Sequence, residues 1–375
     1  MSSLNTISPS VKFGLRFSGI WPRTPYPFIH KFIWMTVLSA LQIYQYRYII
    51  MHFRSEDLMD LVNNLSITMS ISMVLLKLIV SWANYGVLSD ILYTMEEDCQ
   101  NYAIMDVNNL ISKTGQFSYY VTSLIMGSGL VAVIFYITGT VGFQGANDTM
   151  SRKLLFKMDL PFKAYESPNY ELIVTTQFLI HFSVGIAFGT FSAFLLMVVF
   201  HAGCQIDIMC QYLMEVTNKN ENHLKFFINR YQEIIVFTQK IEKVFTYIAL
   251  GQLVSNTIVT SCKGFLIVVA ISEGQGAPIL IQSILFYAVI CLEVFIYCFA
   301  GEYLRIKSKL LGDAVYDYLW YDLPARESQL LVPVILRSQK GFTLTFGKFS
   351  NLSLESFANI MKLSTSYMTV LLAAY

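Results

Sequence analysis

Seven long apolar stretches constrain the fold of this chain more than any other feature. Each has about 20 or more residues, the length that a helix needs to cross a hydrocarbon core of ~30 Å. Charged residues make up only 14% of the sequence, against roughly 25% in soluble domains. The sequence therefore predicts an all-α integral membrane protein with seven transmembrane helices. The stretches cover residues 31–52, 61–83, 117–142, 172–200, 245–271, 278–300 and 351–375.

The distribution of Lys and Arg orients these seven spans. If the N-terminus is cytoplasmic, the inner segments hold seventeen basic residues and the outer segments hold five. Cytoplasmic loops of membrane proteins carry the excess of Lys and Arg, so this orientation is favoured. The exception is the loop between spans 3 and 4, where four of the five outer basic residues lie. The sequence predicts a cytoplasmic N-terminus and an extracellular C-terminus.

Two stretches between spans continue the helical pattern beyond the membrane. From Asn222 to Thr246, and again from Glu302 to Trp320, apolar residues recur at helical spacing among charged ones. We therefore expect helices 4–7 to extend into a cytoplasmic anchor region.

This organisation divides the chain into two parts. Residues 1–200 hold transmembrane helices 1–4, which form a ligand-pocket bundle together with helix 6. Residues 201–375 hold helices 5–7, with anchor segments at about 201–244 and 301–350 and a final helix at about 351–375.

Charged residues within the spans are the first candidates for special roles, because a charge in a membrane is costly. Lys77 and Lys263 are expected to extend their amines towards the interface. Glu293 is expected to pair with a basic neighbour. Lys362 lies midway along the last helix and should face a polar cavity or a partner rather than lipid.

The remaining polar signals are few. The six cysteines form no C-x-x-C pair and are expected to be reduced thiols. Asn147 begins an Asn-Asp-Thr sequon in a predicted outer loop and is a candidate glycosylation site.

No catalytic constellation is present in the sequence. The five histidines are scattered, and there is no H-E-x-x-H motif, Walker loop or G-x-S-x-G elbow. We therefore expect no enzymatic activity, no cofactor and no bound metal. The net charge of +1 gives no sign of nucleic-acid binding.

The outer halves of spans 2, 3, 4 and 6 are rich in aromatic, Met and hydroxyl side chains. An apolar pocket with few polar groups suits a small uncharged organic ligand, and the aromatic content favours an aromatic one. Ordinary helix packing is the alternative for each of these residues. The candidates are Met69, Ser70, Met73, Ala132, Phe135, Tyr136, Gln177, His181, Phe182, Gln282, Phe286 and Tyr287.

Short motifs along the chain together resemble the insect odorant receptor family. Their order and spacing agree with the length and the predicted topology, and the resemblance runs from span 1 to the end. The motifs are Leu160-Pro161-Phe162, Ser167-Pro168-x-Tyr170-Glu171-Leu172, Phe227-x-x-Arg230-Tyr231-Gln232-Glu233-Ile234-Ile235-x-Phe237, Tyr297-Cys298-x-x-Gly301-Glu302-x-Leu304 with Ser308 and Tyr316…Trp320, and Ser356-Phe357…Met361-Lys362-x-Ser364-x-Ser366-Tyr367.

The chain is similar to one branch of that family, its ligand-tuning subunits. Gustatory receptors, which are related in the last helix, end with Thr-Tyr…Gln-Phe, whereas here Ser366 precedes Tyr367 and the ending is Ala374-Tyr375. The odorant coreceptor is longer and has a large insertion between helices 4 and 5, where this chain is compact. A gustatory-type receptor channel stays an alternative.

The resemblance implies an odorant-gated, non-selective cation channel in the dendritic plasma membrane of sensory neurons. In this family a tuning subunit forms a heterotetramer with the odorant coreceptor in the lipid bilayer, and each subunit lends its last helix to a central pore. Val370 stands at the family's hydrophobic gate position, and Ser366 and Ala374 share its face at i, i+4 spacing. The family usually has a larger aliphatic residue where Ala374 stands. Packing of this face against helix 5 or 6 is the alternative.

Two other classes of function are weighed against this one. A G-protein-coupled chemoreceptor has its N-terminus outside, and no Asp-Arg-Tyr after span 3 or Asn-Pro-x-x-Tyr in span 7 is found here. A transporter for small hydrophobic compounds is the third class, and no inverted repeat of the transporter type is apparent.

Overall fold

The computed structural model is a bundle of long helices. It describes residues 7–22, 24–55, 57–101, 109–141, 154–161, 164–215, 221–274, 277–318 and 320–375. The predicted glycosylation sequon at Asn147 lies outside these residues. The helices are α1 Pro9–Phe17, α2 Pro27–His52, α3 Leu58–Ala83, α4 Tyr85–Asn101, α5 Leu110–Val141, α6 Asn169–Glu215, α7 Glu221–Ser272, α8 Ala277–Asp317, α9 Ala325–Lys340 and α10 Leu354–Ala374.

Seven of these helices correspond to the seven predicted spans: α2, α3, α5, α6, α7, α8 and α10. Within the described ranges, five of them are long and apolar enough by length and composition to cross a membrane: α3, α5, α6, α7 and α8. The helices α2 and α10 carry more polar residues. The predicted all-α membrane fold is confirmed.

Three helices run well past the membrane-spanning lengths that hydropathy gives. The α6 helix continues to Glu215, α7 begins at Glu221, and α8 continues to Asp317. Hydropathy does not detect these extensions because their exposed faces are charged. Together with α9 they form the anchor region that the helical spacing predicted.

The α6 helix forms the centre of the bundle. All ten residues from Phe191 to Phe200 are buried, and α6 contacts α1, α3, α5, α7 and α8. A helix that is apolar on all sides is stable only when other helices surround it. This explains why the residues from Ala193 to Phe200 form an unbroken apolar run.

A buried polar cluster joins three helices at the cytoplasmic side. Asp98 on α4 accepts hydrogen bonds from His201 Nε2 at 3.0 Å and from an Arg230 guanidinium nitrogen at 2.8 Å. Burial alone would raise the pKa of the Asp98 carboxyl, but these two partners hold it below its ordinary value. The stabilisation is therefore complete near neutral pH and is lost only in acid, as the pH falls through that lowered pKa.

A short hairpin fixes the start of α10. Its strands, β1 Thr345–Phe346 and β2 Ser350–Asn351, pair antiparallel. The Gly347 amide donates to the Thr246 carbonyl of α7 at 2.9 Å, and the Ser353 hydroxyl caps α10 by accepting from the Ser356 amide. A side chain at Gly301 of α8 would collide with the Leu352 carbonyl, so glycine is required for this close approach.

The cysteines agree with the prediction. All six are free thiols.

Candidate functional site

Four helices surround an apolar cavity in the outer half of the bundle. Helices α3, α5, α6 and α8 contribute to it, and its volume is about 70 Å³. Typical ligand sites measure ~300–1,000 Å³, so a ligand of more than a few heavy atoms must displace lining side chains. The lining residues are Ile67, Ser70, Ile71, Gly129, Ala132, Val133, Tyr136, His181, Val184, Gly185, Phe188, Phe286, Val289 and Ile290.

The structure brings five of the twelve predicted ligand-site residues together in this cavity. They come from all four helices, as expected from the combined pattern of spans 2, 3, 4 and 6. These residues are Ser70, Ala132, Tyr136, His181 and Phe286.

Four other predicted residues point elsewhere. Phe135 is 48% exposed on the outer surface of α5. Met73 and Tyr287 lie against glycines of α7 rather than the cavity. Met69 lies within 3.9 Å of the Tyr46 hydroxyl of α2. These residues pack helices together or face the surroundings of the bundle.

The last three predicted residues do not line the cavity either. Phe182 stacks on Phe178 of the same helix, with ring centroids 6.4 Å apart. The Gln282 side-chain amide donates to the Tyr136 carbonyl at 3.5 Å. Gln177 holds the outer loop that is described next, and it also lines a separate surface groove between α2 and α6.

An outer loop segment, residues 154–156, contacts two side chains of the cavity wall. The Leu155 amide donates to Gln177 Oε1 at 2.9 Å, and Gln177 Nε2 donates to the Phe156 carbonyl at 3.0 Å. The Tyr136 hydroxyl donates to the Leu155 carbonyl at 3.1 Å. The Phe156 ring contacts the His181 ring at 5.1 Å. This segment therefore fixes the positions of two cavity side chains, and sequence reasoning missed it.

Nine lining residues were not predicted from the sequence. Most are small or aliphatic, which is typical of any transmembrane helix and singles out none of them. A detectable signal is helical spacing, because Gly129 and Val133 lie one turn from predicted residues on α5. Val184 and Gly185 follow His181 in the same way on α6, and Val289 and Ile290 follow Phe286 on α8. The i, i+3 and i+4 neighbours share a face, so extending each prediction by one turn would have found them.

Beneath the cavity lies a buried ion pair between Lys77 of α3 and Glu293 of α8. Both side chains are buried, and the Lys77 amine donates to Glu293 Oε1. Gln252 Nε2 and Asn256 Nδ2 of α7 donate to Glu293 Oε2 at 2.5 and 3.3 Å. The predicted basic partner of Glu293 is confirmed. The prediction that Lys77 extends to the interface is wrong, because an ion pair offsets the cost of its burial.

The ion pair contacts the floor of the cavity. The Lys77 amine lies 4.7 Å from the ring centroid of Phe188, which lines the cavity. Cations are attracted to the face of an aromatic ring at this distance. A change in the position of Phe188 therefore changes the surroundings of the Lys77 amine, which belongs to the polar cluster that joins α3, α7 and α8.

Lys263 of α7 is also buried. Its amine donates to Asn63 Oδ1 at 2.7 Å and lies 4.6 Å from the ring centroid of Phe286. The prediction that it reaches the interface is wrong. An amide acceptor and an aromatic face hold the amine inside the bundle, beside a residue of the cavity.

The terminal helix α10 packs on α7 through one face. Thr260 Oγ1 donates to Ser364 Oγ at 2.8 Å, and Ser261 Oγ donates to the Ser364 carbonyl at 3.0 Å. Gly264 makes room for Met368, since a Cβ there would come within 2.7 Å of the Met368 sulfur. Small and hydroxyl residues allow close approach of membrane helices. The polar half of α10 is therefore partly used for packing.

The opposite face of α10 is exposed. Val370 is 64% exposed, and Ser366 and Ala374 are exposed beside it. Lys362 lies one turn before Ser366 on the same face and is also exposed. This face does not pack against α7 or α8, the helices of spans 5 and 6, so a single chain leaves it uncovered.

Comparison with known proteins agrees with this architecture. Odorant receptor 2a of Drosophila melanogaster is 29% identical over 171 residues, which are 43% of this chain and 43% of that protein. Odorant receptor 10 of Aedes albopictus is 24% identical over 233 residues, 60% of this chain and 61% of that protein. The chain thus spans less than two thirds of the length of either relative.

Solved structures extend the similarity to the whole fold. The insect olfactory receptor OR5 from Machilis hrabei, in complex with eugenol, superposes with a TM-score of 0.79 at 13% identity over 97% of both chains. A second structure of that receptor gives a TM-score of 0.80 at 14% identity. The profile of the family described as 7tm Odorant receptor matches residues 57–365. Since this match covers most of the sequence, the chain is a multi-pass membrane protein that belongs to the 7tm odorant receptor family.

Proposed function

We propose that this chain is the ligand-tuning subunit of an odorant-gated, non-selective cation channel. Its pore is shared with the odorant coreceptor in a heterotetramer. The observation that carries this proposal is the uncovered face of α10, which mixes Ser366, Val370 and Ala374 in a row. A face of this kind is unsuited to lipid alone and fits a narrow aqueous path between subunits.

The ligand of this channel is a small, largely apolar volatile that binds in the outer cavity. The walls are aliphatic and aromatic, and rings from Tyr136, His181, Phe188 and Phe286 line them. Such walls favour an aromatic ligand. The similar receptor OR5 has been solved with eugenol, which supports an aromatic volatile for this chain too.

The gate lies at Val370 and opens when the ring of side chains widens. Narrow apolar constrictions stop ions by excluding water, so widening by a few ångströms restores a wetted path. Ser366 provides a polar wall on the cytoplasmic side of this ring. Ala374 is small, so the constriction on the outer side depends more on the coreceptor than on this chain.

The two parts of the chain have separate tasks in this proposal. Residues 1–200, together with α8, bind the odorant, and residues 201–375 provide the anchor and the pore helix. The dendritic plasma membrane of sensory neurons is the site of action. The cytoplasmic ends of α6, α7 and α8 with α9 form the main contact between subunits.

Recording currents with and without the coreceptor tests the proposal. Excised patches in a GTP-free solution should show volatile-evoked cation currents only when both chains are expressed. Currents that require GTP would support the metabotropic alternative instead. Equal currents from this chain alone would remove the coreceptor from the pore.

A tag fused to Tyr375 provides a second test. Staining of intact cells should reach the tag, because α10 is proposed to end outside. A tag that is stained only after permeabilisation would overturn the orientation and with it the channel proposal.

A further inference from the structure

One of the side chains that line the outer cavity has a polar atom without a protein partner. His181 is buried and lines the cavity, and its Nδ1 has no hydrogen-bond partner among the described residues. Its ring touches the rings of Tyr136 and Phe156, with centroids 5.0 and 5.1 Å away. Buried polar atoms are nearly always satisfied. An unpartnered imidazole nitrogen on a side chain that lines a largely apolar cavity therefore points to a ligand that supplies the partner.

The hydroxyl groups of the cavity wall already donate their protons to backbone carbonyls. Ser70 Oγ donates to the Ser66 carbonyl at 2.9 Å. The Tyr136 hydroxyl donates to the Leu155 carbonyl at 3.1 Å. Each hydroxyl has only one proton to donate. Towards a ligand, Ser70 and Tyr136 are therefore hydrogen-bond acceptors rather than donors.

The imidazole adds a second requirement. An isolated charge is costly in apolar surroundings, and an uncharged imidazole has one N–H and one lone pair. A carbonyl or ether oxygen of a ligand can pair only with the N–H. A hydroxyl group can pair with either nitrogen of His181 and can also donate to the Ser70 hydroxyl.

Charged ligands do not fit the same wall. None of the described lining residues is acidic, so an ammonium group would have no counter-charge. The two buried amines near the wall already have partners, since Lys77 pairs with Glu293 and Lys263 donates to Asn63 Oδ1. The wall is thus suited to a neutral molecule that has one polar group.

We infer that the cavity selects compact, uncharged molecules that carry a hydroxyl group, namely alcohols or phenols, and that His181 is the hydrogen-bonding partner of that hydroxyl. This inference rests on the proposed function, because the readout is a volatile-evoked current. The bound molecule places its hydrocarbon part against Ile71, Val184 and Ile290, and its oxygen reaches His181.

Three molecules of nearly the same shape test this inference: 4-methylphenol, 4-methylanisole and 1,4-dimethylbenzene. In cells that express both subunits, 4-methylphenol should activate at a concentration about tenfold lower than the other two, which corresponds to ~1.4 kcal/mol. The ether retains an acceptor oxygen but lacks the O–H. Equal sensitivity to all three, or a preference for the ether, overturns the inference.

A variant at position 181 assigns the effect to the residue. His181→Phe should reduce the preference for 4-methylphenol to about twofold or less, with the response to 1,4-dimethylbenzene preserved, since only a hydrogen bond is lost. His181→Gln should keep part of the preference. Leu179→Phe adds the same ring on the exposed side of α6 and should keep the full preference. A tenfold preference that survives in a surface-expressed His181→Phe channel overturns the role of His181.

The remaining outcomes separate this inference from the proposed function. If none of the three molecules opens the channel but another volatile does, they are tested as competitors of that volatile. Competition by 4-methylphenol about tenfold stronger than by 1,4-dimethylbenzene then supports the inference, and equal competition overturns it. No current to any volatile, with both subunits at the surface, overturns the proposed function and the inference together.

Discussion

The outer cavity and the exposed face of α10 differ in what a single chain provides. The cavity is built by four helices of one chain, and its walls are packed against the bundle. The face with Ser366, Val370 and Ala374 is uncovered, and Val370 is among the most exposed apolar residues. One region is complete in the monomer, and the other requires neighbours.

This difference separates recognition from conduction. A ligand can bind a complete cavity whatever surrounds the chain, whereas a pore wall exists only when several copies of α10 face each other. Substitutions in the cavity should therefore change which volatiles act, and at what concentration. Substitutions on the exposed face should change the current itself.

The largest expected effect comes from the buried ion pair beneath the cavity, which joins α3 and α8. Glu293→Leu leaves the Lys77 amine buried without its partner, which costs about 3–5 kcal/mol. We expect loss of folded protein, measured as the monodisperse fraction in fluorescence-detected size-exclusion chromatography.

The double variant Lys77→Met with Glu293→Leu is the matched control. It removes both charges and should recover most of the folded protein, because well-packed apolar residues can replace a buried ion pair. A normal yield of the Glu293→Leu variant alone would show that this pair is not essential to the fold.

Filling the cavity is expected to have the second-largest effect. Ala132→Phe places a ring in a volume of about 70 Å³, so volatile sensitivity should fall by about a hundredfold or more, as for the loss of ~3 kcal/mol of binding. The concentration for half-maximal current measures this. Ile134→Phe, at an exposed position on the same helix, should leave it unchanged. Equal losses in both variants would contradict the cavity as the binding site.

Truncating the cavity wall should have a smaller effect. Phe286→Ala removes a ring that lines the cavity and should shift the half-maximal concentration by about tenfold, as expected for the loss of ~1–2 kcal/mol of contact. Tyr287→Ala, next along α8 but turned towards Gly264 of α7, should shift it less. The reverse order of the two shifts would move the ligand towards α7.

At the proposed gate, we expect the basal current to rise several-fold. Val370→Ala widens the proposed apolar ring, so the channel should wet without a ligand and basal current should rise. The change in half-maximal concentration should be small, because the cavity is untouched. Val268→Ala, at a partly exposed position on α7, is the control. Unchanged basal current in Val370→Ala would remove this residue from the gate.

The smallest effect is expected at Lys362. This residue shares the exposed face one turn below Ser366, so in the proposed pore its charge repels cations near the cytoplasmic mouth. Water and salt screen such a charge strongly. Lys362→Gln should therefore raise the single-channel conductance by less than about twofold, with Lys362→Arg unchanged. A lower conductance in Lys362→Gln would place the amine outside the ion path.

Apolar stretches in the sequence were sufficient to locate the seven helices, because each stretch is a long local signal, and five of the helices are apolar enough to cross a membrane within the described ranges. Features that depend on distant partners were not predicted. Lys77 and Glu293 are 216 residues apart, and nothing local distinguishes a lysine that pairs inside the bundle from one that reaches the interface. The hairpin before α10 was missed for a similar reason, since each of its strands has only two residues.

The cavity was predicted in part. Ser70, Tyr136 and His181 were found because polar and aromatic residues stand out in an apolar helix. Gly129 and Val184 were not, because such residues are ordinary wherever membrane helices pack. The direction of Phe135 and Tyr287 depends on the rotation of each helix, which neighbouring helices set.

The fixed start of α10 makes this helix a lever. The hairpin, Gly301 and the Ser353 cap hold its cytoplasmic end against α7 and α8, and the sixteen steps from Leu354 to Val370 span about 24 Å at ~1.5 Å per step. A tilt of about 5° around that fixed end moves Val370 sideways by about 2 Å over such a length. The same tilt moves Ser364, ten residues along the arm, by about 1.3 Å, so Val370 travels farther than the point at which α10 is hydrogen-bonded to α7.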